Sequence, residues 1–216
     1  IMPGVPCYPD TRPYEPIPVQ WSNHIEEAPG CWRHQEYLHT DPSDPREALT
    51  AQLIESLGSE GSICVYSPYE QSILERLADR YPSMQVELKR VIRRLWDLFP
   101  VIRDHYYHPA FGGSYSIKSV LPAMVPSLAY GDLAIQEGGV AAQAYYRMVF
   151  KETDWVNKET IRESLLAYCK RDTLAMALRE LCEALLTTNP RDITEFLNKA
   201  GDALQSLTNT TKTETK

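Results

Sequence analysis

Tyr168 and Asp172 stand four residues apart in "LLAYCKRDTLAM", residues 165–176. On a helix this spacing puts phenol and carboxylate on one face, a turn apart. The helical neighbours of Asp172 at three and four residues are Tyr168, Cys169, Ala175 and Met176, none of them a charge partner. A carboxylate on such a stripe is costly to bury without compensation. The plainer reading has Asp172 reaching an arginine or a backbone amide on another element. The sharper one has it holding a metal ion, with the Tyr168 hydroxyl at the same site.

Glu70 in "VYSPYEQSIL" is the second acid of interest. Ser67, Pro68 and Glu70 fit a capping box, with serine at the cap, proline at the first helical position and glutamate at the third. Yet Glu70 also follows the short apolar run "SICVYS", and the carboxyl end of a central strand is where α/β sheets place ligands. The two roles compete. Lys118 in "GSYSIKSV", behind a glycine pair and near a helix start, suits phosphate through its ammonium and the local amides; a solvated lysine is the commoner case. Asp97 in "RLWDLFP" reads as a brace for its loop. His105 and His108 are three apart without a third ligand nearby in sequence, so loop packing is preferred to metal binding.

The elements that must carry these residues are legible in outline. "IPVQWSNHI" and "CWRHQEYLH" alternate across an "EEAPG" turn and predict an antiparallel hairpin. "SDPREALTAQLIESLG" predicts a helix with Asp44 as N-cap, Pro45 at the first position and Gly58 as the stop. "SICVYS" reads as a buried strand and "PYEQSILERLADRYP" as the helix after it, half of an α/β crossover. A second helical pattern runs from Met84 to about Arg103, interrupted by Pro100. "HYYHPAFGGSYS" is a loop, "SIKSVLPAM" a short helix that Pro122 kinks or ends, "GGVAAQAYYRMVF" a helix, and residues 158–186 a long one. Residues 189–207 are expected to form a helical extension and residues 208–216 a disordered polar tail.

Composition narrows the classes. With 216 residues, 43% of them hydrophobic, the chain can bury a full core. No apolar run approaches the roughly 20 residues of a membrane helix, and the start lacks the features of a secretory signal; a soluble, cytoplasmic protein is expected. Five scattered cysteines without CxxC spacing argue against a disulfide framework or a zinc ribbon and for reduced thiols. The formal charge of −7 argues against coating nucleic acid, which needs a basic face, but not against an enzyme whose acids hold metal. The Pro-rich opening reads as cut from a longer chain.

In order along the chain, "VYSPYEQSILERLA", "RLWDLFPVIRDHYYHPAFGGSYSIKSVLPAMVP", "YGDLAIQEGGVAAQAYYRM" and "LLAYCKRDTLAM" resemble the family catalogued as domain of unknown function 2779. That pattern is similar to the ribonuclease H-like, DEDD-type 3′–5′ exonucleases of the tyrosine subclass. The resemblance implies an α/β fold, a mixed sheet flanked by helices over residues 1–188, here without its first strand. It implies that Asp172 is the metal-binding aspartate of the third motif and Tyr168 the tyrosine that orients the attacking water. Glu70 stands where the second motif usually has aspartate, and Ser67 where it commonly has asparagine. Lys118, Ser114 and Ser67 are the implied substrate-binding residues, with single-stranded DNA or RNA as substrate and an upstream domain of the same chain as a further partner.

The implied chemistry is phosphodiester hydrolysis with two Mg²⁺ or Mn²⁺ ions roughly 3.5–4 Å apart, held by four carboxylates because hard cations want oxygen ligands. The first motif, Asp-x-Glu, is absent from the sequence, so Glu70 and Asp172 alone are expected to bind metal weakly or not at all and to leave this chain inactive. The rival expectation is a non-catalytic module of the same fold that binds nucleic acid or supports a partner domain. The lost first strand would also leave an edge through which copies could pair.

Overall fold

The computed structural model describes residues 7–28 and 31–174. The expected continuation of the last helix to residue 186, the helical extension, the polar tail and Cys182 lie outside the described residues.

The expected hairpin forms, with β1 (Gln20–Ala28) antiparallel to β2 (Cys31–Leu38) and Gln20 opposite Leu38. Its side chains alternate between two covering helices, as a strand's two-residue period requires. Asn23 and Gln35 face α1 (Arg46–Leu57) and both reach Ser56, at 3.4 and 2.7 Å. Gln20, Ser22 and His24 face α7 (Trp155–Leu174); Gln20 donates to the Leu165 carbonyl at 2.8 Å. The hairpin is thus a layer between two helices, one of which carries Tyr168 and Asp172.

α1 ends at Gly58 as expected, and that residue's φ of 55° is one glycine tolerates without strain. Its start differs: Pro45, not Asp44, is the capping residue. Asp44 instead accepts from the Arg46 amide at 3.1 Å and grips the Arg46 guanidinium at 2.6 Å. Arg46 is buried and also reaches Glu15 at 3.2 Å, tying the N-terminal segment to α1. Burial opposes charge on Asp44, but the bonds to Arg46 outweigh it and hold the carboxyl below its ordinary range.

β3 (Ile63–Val65) leads through a tight turn into α2 (Tyr69–Arg80), then a 3-10 turn (Pro82–Met84) and α3 (Gln85–Arg93). The helix expected from Met84 to Arg103 is not continuous. It breaks at Arg94, and Leu95–Asp97 form β4, parallel to β3. The reason is tertiary: pairing with β3 outweighs the helical preference of three residues whose neighbours are strong helix formers. Arg94 helps by donating to the carbonyls of Gly61, Gly58 and Leu57, and to that of Glu60, so the α1–β3 loop is stapled to the end of α3. Pro100 sits in the first turn of α4 (Phe99–His105), where its missing N–H is harmless.

α5 (Ile117–Met124) continues through Pro122, and α6 (Gly138–Phe150) matches its expected bounds. The fold is mixed α/β. The single mixed sheet is not formed among the described residues: β1–β2 and β3–β4 are separate two-stranded sheets. One apolar cluster joins Ile17, Val19, Tyr145, Met148 and Leu165, and another joins Tyr66, Leu98, Ile102, Phe111 and Val120. A third, Leu121, Val125 and Tyr130, packs against Tyr168 and so sets the wall of the candidate site. No described helix is long and apolar enough to cross a membrane.

Candidate active site

The turn between β3 and α2 is held by an acid from β4. Asp97 accepts from the Ser67 amide at 2.7 Å and from the Phe99 amide at 2.9 Å, so one carboxylate oxygen clamps both turns that follow the parallel strands. Asp97 is therefore the brace its loop context suggested. Ser67 has a φ of 96°, a conformation that costs a non-glycine residue of order 1–3 kcal/mol and that clusters at functional positions.

This clamp corrects the capping-box expectation. In that box Glu70 would turn back to the Ser67 N–H, but Asp97 holds that donor, and Ser67 Oγ makes only a 3.4 Å bond from the Tyr69 amide. Glu70 does not close the box, its carboxylate being bonded instead to its own amide. Its Oε2 is buried without a hydrogen-bond partner among the described residues. Burial, then the nearby charges of Asp97 and Asp172, push its carboxyl up to about 7.

From the other side α7 brings Tyr168 and Asp172. The Tyr130 hydroxyl donates to Asp172 Oδ1 at 2.7 Å. Burial raises the Asp172 pKa, while the bond from Tyr130, the charge of Lys118 and the Tyr168 hydroxyl partly offset it. The compensating cation is Lys118, fifty residues before Tyr168. Its ammonium donates to the Tyr168 hydroxyl at 2.9 Å and to the Gln136 carbonyl at 2.8 Å, and lies 4.8 Å from the Tyr168 ring centre. Two of its three donors are thus taken among the described residues. Arg171, next to Asp172, donates to the Ala129 carbonyl and to Asp132, 2.6 and 2.8 Å away, so residues 129–132 are tied to α7.

Lys118, Tyr168 and Asp172 therefore share one neighbourhood, and Glu70 lies within reach of the Asp172 charge. Ser67 is at its edge through the Asp97 clamp, whereas Ser114 is exposed in the loop before α5 and accepts from the Ser116 amide at 3.2 Å. His108 Nδ1 accepts from the Ala110 amide, a loop role. Tyr130 was not legible as a site residue: nothing in "LAYGDLAI" indicates a partner 42 residues later. Cys169, beside the pair, has its thiol pushed up to about 12 by burial and then by Asp172, which keeps it an unreactive thiol. Cys7, Cys31, Cys64 and Cys169 are all free.

A family model described as Domain of unknown function (DUF2779) matches residues 1–116. The chain belongs to that family. The match takes in Ser67, Glu70, Asp97 and Ser114; the other site residues follow it. No curated protein and no solved structure matches the chain.

Hard cations prefer oxygen donors, and the orphaned Glu70 Oε2 and the Asp172 carboxylate are of that type. Among the described residues no group of three or more His, Cys, Asp or Glu side chains has metal-binding geometry. The described residues of this DUF2779 chain thus do not by themselves complete a cation site.

A buried acid with a raised pKa makes a pH-dependent contribution to stability. In the folded protein Glu70 stays protonated to about pH 7, whereas unfolded it ionises near 4.5, so folding is progressively disfavoured as pH rises from about 4.5 to about 7. Glu70→Gln is expected to raise stability at pH 8 by about 2 kcal/mol and to change little at pH 4.5. Urea unfolding of both proteins at the two pH values checks this.

Proposed function

We propose that this chain is the larger part of a ribonuclease H-like, DEDD-type 3′–5′ exonuclease of the tyrosine subclass, acting on single-stranded DNA or RNA. The observation that carries the reading is the Tyr168–Asp172 pair on the last described helix, with Lys118 on the Tyr168 hydroxyl and Tyr130 on Asp172, and a buried Glu70 at the end of a parallel strand that feels the Asp172 charge.

Mg²⁺ or Mn²⁺, once bound, would lower the pKa of the attacking water and stabilise the departing 3′ oxygen. The protein's own parts are distinct. Glu70 and Asp172 supply oxygen ligands, and Tyr130 fixes Oδ1 of Asp172. Tyr168 orients the attacking water, its hydroxyl held by Lys118. Lys118 retains a third N–H donor, suited to a phosphate oxygen of the substrate.

A second reading is a non-catalytic module of this fold, favoured by the net charge of −7, which weakens general phosphate binding. Assays on single-stranded DNA and RNA with Mn²⁺ and Mg²⁺ separate the two, using the chain as given, the chain extended upstream of Ile1, and Asp172→Asn in the extended form. Cleavage by the extended chain alone, abolished by the substitution, supports the exonuclease. Cleavage by neither form moves the reading to the module.

A further inference from the structure

A second polar cluster lies on the hairpin face toward α7, apart from the acidic site. His24 and His34 are directly opposite on β1 and β2, with ring centres 4.6 Å apart. His34 Nε2 is 2.9 Å from Ser22 Oγ, Ser22 Oγ is 2.7 Å from Thr173 Oγ1, and His24 Nδ1 is 3.0 Å from the same Thr173 oxygen. Thr173 Oγ1 in turn lies 3.3 and 3.2 Å from the carbonyls of Cys169 and Lys170. With both imidazoles neutral the four side chains can form one unbroken chain of hydrogen bonds. In the assignment that uses every contact, His34 donates to Ser22, Ser22 and His24 donate to Thr173, and Thr173 donates back into its helix.

We propose that His24 and His34 form an acid-sensitive clasp: protonation of the two facing imidazoles releases the last described turn of α7, and with it Asp172, from the hairpin. Protonation keeps each N–H donor, so the trigger is charge, not a lost hydrogen bond. Two imidazolium rings in contact repel each other, and Lys170 on α7 repels both. Glu36 Oε2, 3.7 Å from His34 Nε2, offsets this at His34 only. Glu26 lies two residues further along β1, the Cys169 thiol is neutral, and α1 covers the opposite face of the hairpin. His24 accordingly bears the larger penalty: burial first, then His34 and Lys170, lowers its pKa to about 4, and burial lowers that of His34 as well.

The sign follows from linkage. Both imidazoles are less basic docked than undocked, so docking is at full strength above about pH 6.5 and is lost as pH falls toward 4. The clasp is independent of the exonuclease reading, because it concerns the docking of α7 and not what the site cleaves.

The test is amide hydrogen exchange of the full chain at pH 7 and pH 4.5, read as protection factors for residues 165–174. The wild type is compared with the His24→Gln/His34→Gln double variant. Protection in the wild type is expected to fall at least about tenfold more than in the variant, allowing for solvent screening of half-exposed rings. Equal falls in the two proteins would overturn the clasp. Should the double variant not fold, NMR titration of the wild-type imidazoles decides. Titration of both below the ordinary value, together with shifts in α7 resonances, supports the clasp, and titration of either at or above 6.5 overturns it.

Discussion

Asp172→Asn is expected to lower the cleavage rate of the upstream-extended chain at least about a hundredfold, since losing a ligand should exceed the 10–100-fold typical of losing a residue that only supports one. The fold should survive. Asparagine is nearly isosteric, its amide oxygen can still accept from Tyr130, and the substitution removes a charge that burial disfavours. Stability is therefore expected to be unchanged or to rise by up to about 1 kcal/mol. Single-turnover rates and urea unfolding of the same two proteins check both halves. A rate loss accompanied by an equal loss of fold would assign Asp172 to structure alone.

Arg46→Ala is expected to produce the largest loss of stability, about 3 kcal/mol, or roughly 6–12 °C in Tm. The guanidinium is 3% exposed and joins Asp44, Glu15 and the Pro9 carbonyl. Its removal takes the main cation from two acids that are each about three-quarters covered, leaving Asp44 with Arg80 at 4.0 Å and Glu15 with the Arg12 amide. The pH dependence follows the same linkage. Asp44 has its pKa depressed in the folded state, so its contribution is present above about pH 4 and is lost as pH falls below that. The gap between wild type and variant should narrow in acid. Thermal unfolding at pH 7 and pH 3 measures it, and a gap that stays constant would place the loss in packing alone.

How much of this was legible depends on the range of the forces involved. The hairpin, the Gly58 stop and α6 were legible because periodicity and capping chemistry act within a few residues. β4 was not, because Leu95–Asp97 become a strand only through pairing with β3, thirty residues earlier. The capping box at Ser67 and Glu70 looked sound locally and failed for the same reason: the donor it needed is taken by Asp97. At the site, the Tyr-x-x-x-Asp spacing made Tyr168 and Asp172 visible as a pair. The cation that compensates Asp172 was visible only as a lysine near a glycine pair, and Tyr130 not at all, because both contacts are made across more than forty residues.

The central claim is that Glu70 and Asp172 form one end of a cation site. It is tested most directly by titrating the chain with Mn²⁺ and following paramagnetic broadening of its amide resonances. The account predicts weak binding, with a Kd on the order of 10⁻³ M. Broadening should begin at the first turn of α2 and around Asp172 on α7, and be lost in Asp172→Asn. Broadening centred on other surface acids, or a pattern that Asp172→Asn leaves unchanged, would contradict it.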